Sequence, residues 1–151
     1  MGGLDYLVRC LSSRPNHLCN TYSELGSNNL RWCQEDGHYF LKCVKMVVDK
    51  MINTPHAHLI LVSVIPSPVS NDEDKYLFKK VDLEMKKYAN ESGGKVTFLN
   101  LNTKFITSNE INLEYYNLEE RETLHLSEKG ASMVAETLKD LLIKLNDNKW
   151  D

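Results

Sequence analysis

The sequence predicts an α/β fold, a small parallel sheet with helices on its faces. Three observations carry that expectation. "HLILVSVIPSP" (58–68) is continuous, β-branched and closed by proline, as a strand buried on both faces reads. Helical apolar stripes lie on either side of it, and a second strand-like run, "KVTFLNL" (95–101), comes after the next of them. Strands alternating with helices argue for parallel pairing, because each crossover helix must cover one face of the sheet.

Taken in order, Leu4, Leu7, Val8 and Leu11 fall at helical spacing, so residues 4–12 are expected to be helix, closed by Pro15. "NTYSEL" (20–25) is a weakly alternating strand that runs into the turn "GSNN" (26–29). From His38 to Ile52, Phe40, Val44, Val47, Val48, Met51 and Ile52 form one helical face. That helix ends at Asn53-Thr54-Pro55, since a residue before proline avoids the α region. Residues 58–65 are the next strand. Asn71 or Asp72 can cap the helix that follows, and Asp72-Glu73-Asp74 suits its positive end. Its stripe is Leu77, Val81, Met85 and Tyr88, and Gly93-Gly94 ends it. After the strand 95–101 and a polar loop, the last helix starts beyond Ser127. It buries Val134, Leu138, Leu141, Leu142 and Leu145. Without repeats, low-complexity tracts or linkers, the 151 residues read as one domain.

Composition narrows the function. Apolar residues are 42% and charged residues 26%, ordinary for a globular chain. The formal net charge is −3 and neither half is basic, so charge does not favour nucleic acid as a partner. No apolar run is long enough to span a bilayer, and "MGGLDYLVRC" lacks the basic flank and apolar core of a secretory signal. A cytoplasmic location without membrane attachment is therefore expected. Cys10, Cys19, Cys33 and Cys43 match no metal-knuckle spacing and read as reduced, packed thiols. His56-x-His58 could put two imidazoles on one strand face, but no third ligand accompanies them, so neither metal nor other cofactor is expected. Asn90-Glu91-Ser92 fits a glycosylation acceptor, discounted without a signal peptide. Trp32 reads as core.

The chemistry concentrates in "ERETLHLSEKGASMVAETL" (120–138). If Ser127 caps the last helix, His125 lies two residues earlier, on a loop at the end of the sheet. Ligands of open α/β sheets bind at the carboxyl ends of the strands. Alternation sends Leu124 and Leu126 to the core and His125 the other way. The positive end of a helix disfavours imidazolium, and a neutral histidine is what a general base requires near pH 7. A carboxylate on the other ring nitrogen would fix its tautomer, and Glu122 is nearest by spacing. Gly130 lets another backbone or a substrate approach closely. The plain alternative is a surface histidine.

"TLHLSEKGASMVAETL" resembles the last sequence block of the SGNH, or GDSL-type, esterase family, in which Asp-x-x-His-Leu-(Ser/Asn)-x-x-Gly leads into an amphipathic helix. "LGSNNL" (25–30) is similar to that family's Gly-x-Asn-Asp block, and "LILVSVIPSP" to its fourth strand and trailing loop. "MGGLDYL" resembles the remnant of a glycine-bearing block. Among the family's branches, the divergent esterases of animal retroelements look closest. The resemblance implies a three-layer α/β/α, flavodoxin-like fold with strand order 2-1-3-4-5. It implies a chain that begins after strands 1 and 2, so that strand 20–25 becomes an exposed edge open to a protein partner. By position, His125 would be the base and Glu122 its orienting acid. Asn28 would donate to the oxyanion, supported by the backbones of Gly26 and of Gly2 or Gly3. One such donor is worth on the order of 3 kcal/mol in the barrier. The implied substrate is a small ester.

Three departures qualify this. Gly-Asp-Ser, which supplies the nucleophile, is absent, and none of the eleven serines follows Gly-Asp. Glu122 stands where the family has Asp, and Asn29 where it has a second Asp. Two functions follow as expectations: an SGNH-type hydrolase domain, inactive as written, whose complete protein cleaves esters, or a silenced esterase-like module that binds protein or RNA.

Overall fold

The computed structural model describes residues 9–12, 18–19, 38–53, 57–118 and 125–147. In chain order these form β1 (Arg9–Ser12), β2 (Leu18–Cys19), α1 (His38–Ile52), β3 (Ala57–Val62), α2 (Asp72–Glu91), β4 (Val96–Leu99), a one-turn α3 (Asn102–Phe105), β5 (Ile106–Thr107), β6 (Glu110–Ile111), a 3-10 turn (Leu113–Tyr115) and α4 (Glu128–Asp147).

β3 sets the layers. Its residues 59–62 are all buried, and consecutive side chains of a strand point to opposite faces. Leu59 and Leu61 enter one core with Leu41, Val44 and Val48 of α1 and Phe78, Val81, Met85 and Ala89 of α2. Ile60 and Val62 enter a second core with Leu101, Phe105 and Tyr116. There they meet Met133, Val134, Leu138, Leu141, Leu142 and Leu145 of α4, which are half-buried. Burying each large aliphatic side chain of β3 is worth roughly 2 kcal/mol. Helices thus cover both faces, as the sequence predicts.

β3 and β4 are parallel, with Leu59 opposite Val96 and Val62 opposite Leu99. They are joined through α2, as a parallel pair requires. The four-stranded sheet has the order β2-β1-β3-β4, and β1 pairs antiparallel with both β2 and β3. This corrects the helix expected over 4–12. Residues 9–12 are strand because a ladder on each side, Cys10 opposite both Cys19 and Leu59, outweighs a short helical period. The strand expected over 20–25 lies outside the described residues.

Helix boundaries follow local chemistry. The Asn71 side chain accepts the Asp74 N–H at 2.8 Å and caps α2. Gly93 and Gly94, at φ 65° and 83°, turn the chain out of it. The "polar loop" after β4 contains an unanticipated hairpin. Thr107 pairs with Glu110 across a two-residue turn in which Ser108 and Asn109 both have positive φ. No helix among the described residues is long and apolar enough to cross a membrane.

Candidate functional site

The carboxyl ends of β3 and β4 are tied to each other and to α2. Ser63, immediately after β3, donates its N–H to Leu99 O, and its hydroxyl oxygen accepts the Leu101 N–H, both at 2.9 Å. Ser63 is buried in this structural role. One residue later, the Val64 N–H donates to Asp82 Oδ1 at 2.9 Å. The other oxygen, Oδ2, accepts from the Asn102 amide at 2.7 Å. A carboxyl on α2 therefore clasps the loops that leave both parallel strands.

Asp82 is 8% exposed. Burial penalises its charged form and pushes its pKa up to about 7, against the opposing pull of the Val64 N–H and the Asn102 amide. Asn102 Oδ1 is buried and has no hydrogen-bond partner among the described residues. The clasp is the floor of a cleft of about 800 Å³, walled by the loop after β3, one side of α2 and the β5–β6 hairpin. Its position agrees with the rule that open α/β sheets bind ligands beyond the carboxyl ends of their strands.

The sequence carries one signal for Asp82. It lies four residues after Phe78 and three before Met85, on the buried stripe of α2. Assigning that stripe to Leu77, Val81, Met85 and Tyr88 passes over it. Leu77 and Tyr88 are only half-buried, while Phe78 and Asp82 are buried.

His125 is on the other side of the same end of the sheet. Tyr116 and Leu126 form an antiparallel bridge. The Asn117 N–H donates to the His125 carbonyl and the Ser127 N–H to the Tyr115 carbonyl, each at 2.9 Å. The Tyr116 hydroxyl donates to the Pro66 carbonyl, in the loop after β3. The histidine segment is thereby moored to the carboxyl end of β3. Leu126 packs into the second core while His125 is exposed, in agreement with the expected alternation. Pro66 lines the cleft, but His125 is not among its lining residues.

Ser127 caps α4 as the sequence predicts: its hydroxyl accepts the Gly130 N–H at 3.1 Å and donates to the Glu114 carbonyl at 2.7 Å. Gly130 is buried against the Tyr115 carbonyl, which leaves no room for a Cβ, so its close approach is to protein backbone. Lys129 adds to this contact by pairing with Glu114 and by standing 5.8 Å from the centre of the Tyr115 ring. That pairing, and then Asn112, hold the Glu114 carboxyl below its usual range.

Glu122, Asn28, Gly26, Gly2 and Gly3 lie outside the described residues, as do His56 and Trp32. His58 bonds Thr97 across the parallel pair at 2.8 Å. Among the described residues no three His, Cys, Asp or Glu side chains are grouped to hold a metal ion.

No protein-family model matches the sequence, and no curated protein does. Among solved structures the chain is similar to one named "putative platelet activating factor from Streptococcus pneumonia", with a TM-score of 0.61 and 17% identity. The match covers 78% of this chain and 56% of that one, so this chain spans little more than half of the neighbour. At that identity the likeness is one of fold: an α/β protein with helices on both faces of its sheet.

Proposed function

We propose that this chain is a hydrolase domain of the SGNH type, with His125 as general base, Glu122 as its orienting acid and Asn28 as an oxyanion donor. Gly26 and Gly2 or Gly3 would supply backbone support. The observation that carries this reading is the mooring of the His125 segment, through Tyr116 and Pro66, to the carboxyl end of a strand in a parallel pair. Together with the "HLSEKG" block, this suits a histidine presented to a substrate where such sheets bind ligands. Ester cleavage by a covalent route also needs an activated serine. These 151 residues contain no Gly-Asp-Ser, so the chain by itself lacks the usual nucleophile and is expected to be silent.

The test combines a fluorophosphonate probe, which labels activated serines, with a crystal structure covering residues 20–30 and 119–124. The expected result is no labelling of this chain and no turnover of short acyl esters above that of His125→Ala, with Asn28 and His125 facing one cleft. Asn28 and His125 on opposite flanks would overturn the hydrolase reading. Labelling that disappears in His125→Ala would overturn the silence.

The missing Gly-Asp-Ser also favours a second reading, in which an esterase-like fold is retained to bind protein or RNA. Fold and function separate readily. Immobilised chain that retains neither a protein partner from its source cells nor single-stranded RNA at physiological salt would count against it.

A further inference from the structure

The cleft over Asp82 combines apolar walls with cations along one edge. Its walls include Phe78, Phe98 and Ile111, and Leu83, although it borders the cleft, is 61% exposed. Single exposed apolar side chains are ordinary, but Leu83 borders a concave surface of ligand size whose other apolar walls are the half-buried Phe98 and Ile111 and the edge of the buried Phe78. Lys79 and Lys86 also line it. They are seven residues apart on α2, two helical turns, and so stand on one edge of the cleft about 10 Å apart along the axis.

The charge at this mouth is lopsided. Lys75 is engaged by Asp72 at 3.1 Å, whereas Lys79 and Lys86 make no ion pair among the described residues. The acids facing them are Glu110 on the hairpin and Asp82 on the floor. Burial keeps Asp82 largely protonated below about pH 7, so the floor adds little negative charge under mildly acidic conditions. An apolar trough with cations along one edge complements a molecule with an apolar body and a single anionic end. A neutral apolar ligand would gain nothing from the two ammonium groups, which stay solvated. A cation would be repelled by them.

We propose that the cleft at the carboxyl ends of β3 and β4 binds a free amphipathic carboxylate, with its apolar chain along Phe98, Ile111 and Leu83 and its carboxylate between Lys79 and Lys86. The binding chemistry rests on Lys79, Lys86 and the apolar wall, and His125 is not among the residues that line the cleft.

The test is a titration of the full chain, labelled with nitrogen-15, with octanoate, octan-1-ol and octylammonium at pH 6. Octanoate is expected to shift the Leu83, Asn100 and Asn102 amide signals saturably and to bind at least tenfold more tightly than octylammonium. In the double variant Lys79→Gln/Lys86→Gln, which changes only exposed side chains, octanoate affinity should fall about tenfold, to the level of octan-1-ol. Absence of saturable shifts at the cleft would overturn the proposal. So would equal binding of carboxylate and ammonium, or an unchanged affinity in the double variant.

Discussion

An aspartate in an unfolded chain loses its proton near pH 3.8, whereas Asp82 in the fold keeps it up to about 7. Across that window the native state binds more protons than the unfolded one, so this group makes stability fall as pH rises, and its full cost is present above 7. The shift corresponds to roughly 4 kcal/mol at most. Asn in its place carries no charge and can still accept the Val64 N–H, while its amide replaces the oxygen that accepts from Asn102, so the Asn102 side-chain amide must turn over to present its Oδ1. It can then donate to Asn102 Oδ1, the buried atom left without a partner among the described residues. Asp82→Asn should therefore gain about 2–3 kcal/mol relative to the parent between pH 5 and pH 8, read as the difference between two urea unfolding series. Equal pH dependence in the two proteins would refute the assignment. Neighbouring residues differ in how well the sequence shows them. Gly130 announces a close approach, because a glycine three residues into a helix has no propensity reason to be there. Asp82 gives a weaker sign, a single polar residue on an apolar stripe, and its partners Val64 and Asn102 are 18 and 20 residues away.

At the scale of elements, the β5–β6 hairpin is the part that local chemistry specifies least. Ser108 and Asn109 occupy the left-handed region at φ 53° and 66°, the arrangement of a two-residue hairpin turn that prefers glycine at its second position. Asn109→Gly should stabilise the chain by about 0.5–1 kcal/mol, measured by denaturant midpoint, because glycine relieves the left-handed strain. A destabilised variant would show that the Asn109 side chain contributes more than its turn geometry. The longer elements were legible: α1, α2 and α4 stand where the periods, caps and prolines put them, while β3 and β4 end at Val62 and Leu99, short of the expected 65 and 101. Residues 9–12 were not, since an apolar period over so few residues fits helix and strand alike until partner strands decide between them.

At the scale of the whole molecule, two loops meet at one end of the sheet. The Asp82 clasp holds the loop after β3 from one face, and Tyr116 holds it from the other through the Pro66 carbonyl. Tyr116 is buried, and burial raises the pKa of its hydroxyl, so it remains a donor throughout the physiological range. Tyr116→Phe leaves that carbonyl without its donor and should cost about 1–2 kcal/mol. The Asn117 amide, which donates to the His125 carbonyl, should then exchange with solvent faster than amides in α1. Unchanged exchange at Asn117 would mean that the histidine segment is held without this mooring.

The sequence by itself determined the α/β class, the two parallel strands, the three long helices with the caps of the last two, and the outward placement of His125 between two leucines. These follow from periods and end signals within a few turns of chain, where each residue's neighbours are also its neighbours in sequence. Tertiary structure alone decided that residues 9–12 join the sheet and that Gly130 faces the Tyr115 carbonyl. It also decided that a carboxyl on α2 closes the floor of a cleft between two loops. Each of these depends on which distant segment lies alongside, and on whether burial there costs a charge its solvent.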